Sequence, residues 1–210
     1  MSYLSNYAVW EEKHLGTLND VWVRLEYDRL RNLKPTDIVV DAGASIGAFT
    51  VKACLQAKFV YAFEPELENF QMLQKNTEKH KNMKIHQKAL WSSSEMKPLY
   101  LSRNWGGHSL IPKKENRTVM VEAVTLDEMV TERVDFLKVD VEATELDLFK
   151  GAKEILSKYK PFIAIEIHSI PIFQSVNDFL SQFGYTVRAG IIDSTIVEIR
   201  EPTYGTVYFA

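Results

Sequence analysis

Short apolar runs alternate along this chain with longer stretches in which apolar residues return every three or four positions. "DIVV" (37–40) and "FVYAF" (59–63) are brief, β-rich and bounded by polar residues, and they read as buried strands. Between them Ile46, Phe49, Thr50, Ala53, Cys54 and Ala57 fall on one stripe of a helix. "ELENFQMLQKNTEKH" repeats the helical period with Phe70, Leu73 and Thr77, and "MKIHQKAL" (83–90) reads as a third strand. Farther along, "VDFLKVD" (134–140) is a strand. "TELDLFKGAKEILSKY" (144–159) is a helix with Leu148, Phe149, Ala152, Ile155 and Leu156 inward, and "PFIAIEIH" (161–168) is another strand. Repeated strand–helix units predict a parallel sheet covered by helices on both faces. A helix over "FQSVNDFLSQFG" ends at Gly184, and "YTVRA", "TIVEIR" and "GTVYFA" then follow without a helix between them, which predicts an antiparallel finish.

Two segments depart from this alternation. Residues 91–126 hold "KPLYLS" and "TVMVEAV" as a strand pair around a loop containing "NWGGHS", an insertion of the kind that often carries specificity. Residues 1–33 read as an arm, with a helix over "LNDVWVRLEYDRLRNL" whose modest face is Val21, Leu25, Asp28 and Arg29. The predicted organisation is therefore an N-terminal helical arm (1–33) and one α/β domain (34–210) with a β-hairpin insertion near 91–126.

Composition narrows the functional classes. A chain of 210 residues with 46% hydrophobic residues can bury a full core. A net charge of −3 and an isoelectric point near 6.0 supply no basic field for nucleic acid. No stretch is apolar for the length of a membrane span, and "MSYLSNYAVWEEKH" lacks the basic and apolar regions of a secretory signal, so the expectation is a cytoplasmic protein. The lone Cys54 excludes an intrachain disulfide and reads as core packing.

Candidate chemistry begins in the loop after the first strand, "VDAGASIGAFTV" (40–51). In open α/β sheets ligands bind beyond the carboxyl ends of the strands. Gly43, Ala44, Ser45 and Gly47 would let the backbone approach a ligand and offer free N–H groups at the next helix. The dinucleotide and P-loop spacings are both absent. Asp41 suits a ligand carrying an ammonium and a carboxylate, as the methionine end of S-adenosylmethionine does. Glu64 closes the second strand, where a carboxylate can accept both ribose hydroxyls of an adenosine. Phe63, Pro65, Ala89 and Leu90 would flank the adenine.

At these residues the chain resembles the FkbM family of S-adenosylmethionine-dependent methyltransferases, within the class I methyltransferase fold. The likeness rests on "VVDAGASIGAFTV", "VYAFEPELENFQMLQKN", "VTLDEMV", "VDFLKVDVEATELDLFKGA" and "PFIAIEIH", and spans roughly residues 36–170. It implies a Rossmann-like, mostly parallel seven-stranded sheet with an antiparallel final strand. It also implies methyl transfer to an oxygen of a sugar-like or natural-product acceptor. One departure is Ala143, which stands where the family commonly has glycine in "D-V-E-G-x-E".

Methyl transfer to a hydroxyl needs alignment and a proton acceptor. Topology points the tips of "VDFLKVD" and "PFIAIEIH" at the reacting centre, which makes Asp140, Glu142, Glu166 and His168 the catalytic candidates, with Glu145 beside them and Asp140 also on the cofactor side. His168 is the imidazole best placed as a base; His108, in the insertion, lies opposite it in expectation. Asp140, Glu142 and Glu166 are also a set that could hold Mg2+, although no dedicated metal spacing is present. Two other readings stay open. One is an RNA methyltransferase, with Lys113, Lys114 and Arg117 as its thin basic patch. The other is a non-catalytic nucleoside-binding scaffold. The oligomeric state is open.

Overall fold

The computed structural model describes residues 15–102, 107–112, 117–192, 195–199, 201, 203 and 205–210. His14, Trp105, Gly106, Lys113 and Lys114 lie outside the described residues. Helix α1 (Leu15–Leu18) runs into a single π-helical turn, Asn19–Val23. The helix expected to continue to residue 33 stops there. Leu25 takes a left-handed φ of 56°, and the chain then turns along the sheet.

The remaining strands are β1 (Ile38–Ala42), β2 (Phe59–Phe63), β3 (Met83–His86), β4 (Ala89–Leu90), β5 (Glu95–Leu101), β6 (Arg117–Val124), β7 (Phe136–Val139), β8 (Phe162–Ile167), β9 (Val187–Ile192), β10 (Thr195–Val197) and β11 (Gly205–Phe209). The helices are α2 (Ala48–Gln56), α3 (Leu67–Thr77), α4 (Leu126–Met129), α5 (Glu145–Lys150), α6 (Lys153–Lys158) and α7 (Ile170–Ser181). The main sheet has the order β10-β9-β11-β8-β7-β1-β2-β3, parallel from β3 to β8 and antiparallel beyond. It has eight strands rather than the expected seven. The extra one is the three-residue β10, which folds back on β9 as an edge hairpin.

Two sequence runs divide where their backbones are needed elsewhere. "MKIHQKAL" supplies β3 to the main sheet and then sends Ala89–Leu90 to a second sheet, β4-β6-β5. The run 144–159 breaks between α5 and α6 at Gly151, where a Cβ would stand 2.0 Å from the Trp91 carbonyl oxygen. A continuous helix with a side chain there would collide with the strand pair β5–β6's entry segment.

Alternation along the strands decides what each face carries. Leu137, Val139, Ile163 and Ile165 pack with α4–α7 residues such as Leu148, Phe149, Leu156 and Leu180. Phe136, Val39, Val60 and Ala164 pack on the opposite face with Phe49 and Ala53 of α2 and with Leu18, Val21, Tyr27 and Leu33 of the N-terminal segment. Asp41, Lys138 and Glu166 share the parity of this second face. The strand order reverses between β1 and β7, so the crevice at their carboxyl ends is the fold's binding position.

Candidate functional site

A groove opens at that crevice and has two halves. The first is lined by Gly43, Ser45, Phe63, Glu64, Pro65, Asn69, Ala89, Leu90, Leu99 and Leu110, with His108 at its wall. The second is a cavity of about 740 Å3 lined by Glu26, Tyr27, Ala44, Ala48, Phe49, Lys138 and Glu166 among others. Gly43, Ser45, Asp140 and Glu142 line both halves and join them. The structure thus brings Gly43, Ala44, Ser45, Phe63, Glu64, Pro65, Ala89, Leu90, Asp140, Glu142 and Glu166 to one groove.

In the first half Glu64 is buried, and its two oxygens accept the N–H groups of Ser45 (2.8 Å) and Glu66 (2.9 Å). Burial pushes its carboxyl up to about 7, against the lowering effect of those two donors. The Ser45 hydroxyl oxygen is buried and has no hydrogen-bond partner among the described residues. An acid with spare lone pairs, an unpartnered hydroxyl and flat apolar walls fit a nucleoside. Phe63 is held flat by His86, whose ring stacks on it at 4.9 Å.

The glycines serve the chain's own packing. At Gly43, φ is 74° and a Cβ would lie 1.7 Å from the Asp140 carbonyl oxygen, so glycine lets the β1 and β7 loops close on each other. At Gly47, φ is 89° and a Cβ would meet Leu73 at 2.7 Å. Gly47 packs α2 against α3 and does not line the groove.

Asp41 requires a correction. It is fully buried, and its carboxylate takes the Thr50 hydroxyl at 2.6 Å and the Lys138 ammonium at 3.1 Å, the latter as an ion pair without a well-directed hydrogen bond. It does not line the groove and is not placed to meet a ligand. Its partner Lys138, opposite it in the β1–β7 register, also donates to the Gly43 carbonyl at 2.6 Å. Burial works against the charge on Lys138, but Asp41 and Asp140 outweigh it and raise its pKa. The lysine therefore ties the loop after β1 to the acids after β7. A lysine inside the apolar run "FLKV" was the sequence signal for it, because a buried cation persists only with a partner.

In the second half Asp140 and Glu166 lie side by side at the ends of β7 and β8. The Tyr27 hydroxyl stands between them, 3.2 Å from Asp140 Oδ2 and 3.1 Å from Glu166 Oε2. Asp140 and burial together push Glu166 up to about 7, with His168 opposing. His168 was the expected base, and its surroundings overturn that. Its Nδ1 meets Glu145 Oε1 at 2.7 Å, and its Nε2 faces Glu142 at 3.7 Å and Asp140 at 4.0 Å. Burial would lower its pKa, but these three carboxylates raise it to about 9, so the ring is a cation at neutral pH and has no lone pair for a proton. His108 instead accepts the Ser102 N–H at 3.0 Å within its own loop.

The turn after β7 is strained. Glu142 and Ala143 both hold left-handed φ values, 52° and 72°. Glycine is the residue suited to position 143, and the alanine there carries a cost of about 1–2 kcal/mol. The turn is held by the Ser109 hydroxyl, which donates to the Glu142 carbonyl at 2.6 Å, and by the Ala143 N–H, which donates to Glu145 at 3.1 Å.

Mg2+ fits these residues poorly. The cluster whose ligand atoms converge is Asp140, Glu166 and His168 rather than Asp140, Glu142 and Glu166. One of its three ligands is an imidazolium nitrogen, whereas Mg2+ favours oxygens, and Tyr27 already occupies the oxygens that the two acids turn toward each other. Among the described residues no helix is long and apolar enough to cross a membrane.

Residues 41–187 match the family model described as the methyltransferase FkbM domain. Among solved structures, methyltransferase FkbM from Methylobacillus flagellatus superposes with a TM-score of 0.65 at 16% identity, covering 100% of this chain and 57% of that one. The chain thus spans a little over half the length of that protein. Fibrillarin from Aeropyrum pernix, solved with natively bound S-adenosyl-L-methionine, has a TM-score of 0.57 at 11% identity over 91% of this chain and 74% of its own. A Streptococcus mutans protein solved in complex with SAH has a TM-score of 0.53 at 13% identity over 96% and 98%. Identities at this level show a shared fold. A comparison with curated proteins returns no match.

Proposed function

We propose, on the premise that this chain belongs to the FkbM methyltransferase family, that it transfers a methyl group from S-adenosylmethionine to a hydroxyl oxygen of a sugar-like or natural-product small molecule. The observation that carries this reading is the division of the groove. An apolar half with one acid and an unpartnered serine hydroxyl meets a half rich in carboxylates at Gly43, Ser45, Asp140 and Glu142.

S-adenosylmethionine, when bound, supplies an activated methyl on a sulfonium for in-line displacement. Glu64 would hold the ribose hydroxyls, with Phe63, Pro65, Ala89 and Leu90 against the adenine, and with Gly43, Ser45 and Asp140 where the two halves join. Glu166 takes the acceptor's proton, since a carboxyl near pH 7 serves as base and releases its proton again. Asp140 lies beside it, and the imidazolium of His168 behind both keeps the acids from repelling one another apart. The acceptor half is lined by Asp20, Glu26, Asp140, Glu142 and Glu166 against two cations, Arg24 and Lys138, which pair with Asp20 and Asp140; the excess of acids favours neutral or cationic hydroxyl compounds over a polyanionic RNA.

The test is incubation with methyl-labelled S-adenosylmethionine and a panel of sugars, amino sugars, polyketide-type alcohols and short RNAs, with products located by mass spectrometry. Label on an oxygen of a small molecule supports the reading. Label on RNA alone, or cofactor binding with no transfer to any acceptor, contradicts it.

A further inference from the structure

The N-terminal segment walls the second half of the groove, and Tyr27 is its residue that meets both Asp140 and Glu166. Tyr27 is buried, and its ring meets Phe49 edge-on at 5.7 Å and carries the Lys138 ammonium 5.1 Å from its centre. Both sequence neighbours are anchored separately. The Glu26 carbonyl accepts the Tyr208 hydroxyl from β11. The Asp28 carboxylate pairs with the buried Lys52 ammonium of α2 at 2.6 Å, and the same ammonium holds the Val21 carbonyl at 3.0 Å. Farther on, Arg31 makes two bonds to Asp37, at 2.8 and 3.0 Å. A tyrosine fixed on both sides by contacts to different elements has its hydroxyl placed, rather than free to find a partner.

We propose that Tyr27 is a positioning residue of the transfer site and bridges Asp140 and Glu166: its one hydroxyl proton goes to the charged form of Glu166, or to Asp140 when Glu166 is protonated and itself donates to the phenol oxygen. This rests on the functional reading above only in the role given to Glu166. Without the bridge, the two acids at the ends of β7 and β8 have one less reason to stay adjacent, and like charges separate. The groups facing Glu166 are Asp140 and Lys138 from β7, His168 at the end of its own strand, and Glu26 and Tyr27 from the N-terminal segment. Glu26 and Asp140 raise its pKa, whereas His168 and the Tyr27 hydroxyl lower it. Removing the hydroxyl therefore moves the Glu166 titration upward.

The experiment is a pH titration of protein labelled with 13C at the glutamate carboxyl, with the Glu166 signal assigned by its loss in Glu166→Gln. Wild type is expected to titrate near 7. Tyr27→Phe keeps the ring and its contacts with Phe49 and Lys138, and is expected to move the midpoint up by roughly one pH unit, as for a lost hydrogen bond to a charged group. Should Tyr27→Phe not fold, 3-fluorotyrosine at position 27 keeps the shape with a stronger donor and is expected to move the midpoint down. A Glu166 midpoint that moves with neither change overturns the proposal. SAH titration of the same samples separates the two claims: absence of SAH binding to wild type sinks the cofactor reading, while the 13C midpoints decide the bridge regardless.

Discussion

The two halves of the groove are built differently. The half around Glu64 takes its walls from the loop after β1, the end of β2 with Pro65 and Ala89–Leu90, and is closed by Leu99 and Leu110 of the insertion and by the turn after β7. Its buried acid, Glu64, accepts backbone N–H groups from Glu66, two positions on, and from Ser45 in the loop after the neighbouring strand β1. The half around Glu166 depends on longer spans, with Tyr27 reaching Glu166 across 139 positions and Lys138 reaching the Gly43 carbonyl across 95. Backbone N–H groups thus hold the acid of one half, while the acids of the other depend on long-range pairing of buried charges. Damage to the first should cost affinity; damage to the second should cost the fold or the proton balance.

The sharpest way to break this contrast is Lys138→Met. It leaves the buried Asp41 carboxylate without its cation and is expected to cost about 3–5 kcal/mol of stability in chemical denaturation. Asp41→Ala is expected to behave in the same way, as a stability variant. Glu64→Gln, in the other half, keeps one side-chain oxygen for the backbone donors and is expected to cost less stability than Lys138→Met while weakening SAH binding about 30-fold in calorimetry, the equivalent of roughly 2 kcal/mol. If Asp41→Ala lost affinity with full stability, the assignment of the two acids would be reversed.

Proton linkage gives a smaller effect with a definite sign. Glu64 and Glu166 are raised from 4.5 to about 7, so each binds a proton more tightly folded than unfolded. Stability falls as pH rises through that range. His168, raised from 6.5 to about 9, contributes stability that is complete below 6.5 and lost by about 9. Melting temperature should therefore fall steadily from mildly acidic to alkaline pH. His168→Gln should flatten the upper part of that fall by roughly 5 °C. A steeper fall in the variant would contradict the acid cage around the imidazole. The smallest effect expected is from Ala143→Gly, which relieves a left-handed alanine and should gain about 1 kcal/mol. No gain in a thermal melt would mean that the turn after β7 is not strained.

What could be seen in the sequence follows the same division. The parallel strands, α2, the strand pair in the insertion and the meeting of Gly43, Ser45, Phe63, Glu64 and Pro65 in one groove were visible because they depend on periodicity and on loops beside strand ends. Buried Cys54, its thiol pushed up to about 12 by burial and by Asp41, also matched its apolar position. The run "TIVEIR" was read as a strand and contains β10; the count of seven came from the family resemblance, which does not include this edge hairpin. Asp41 was misplaced because an acid at a strand tip looks the same whether it faces a ligand or a lysine one strand away. Lys138 shares strand parity with Asp140 and Glu166, and reading that parity would have put all three on one face. Tyr27 had no local signal: its role exists only once the N-terminal segment is folded against the sheet. His168 was expected as a base with Asp140, Glu142 and Glu145 near it; the sequence does not show that all three turn toward its ring, which is what keeps it charged.

The most direct test of the account is calorimetric titration of the purified protein with S-adenosylmethionine and SAH, with NAD and ATP as controls. The account predicts saturable binding of the first two and none of the controls. Binding of NAD or ATP in their place, or no binding of any of the four, would contradict it.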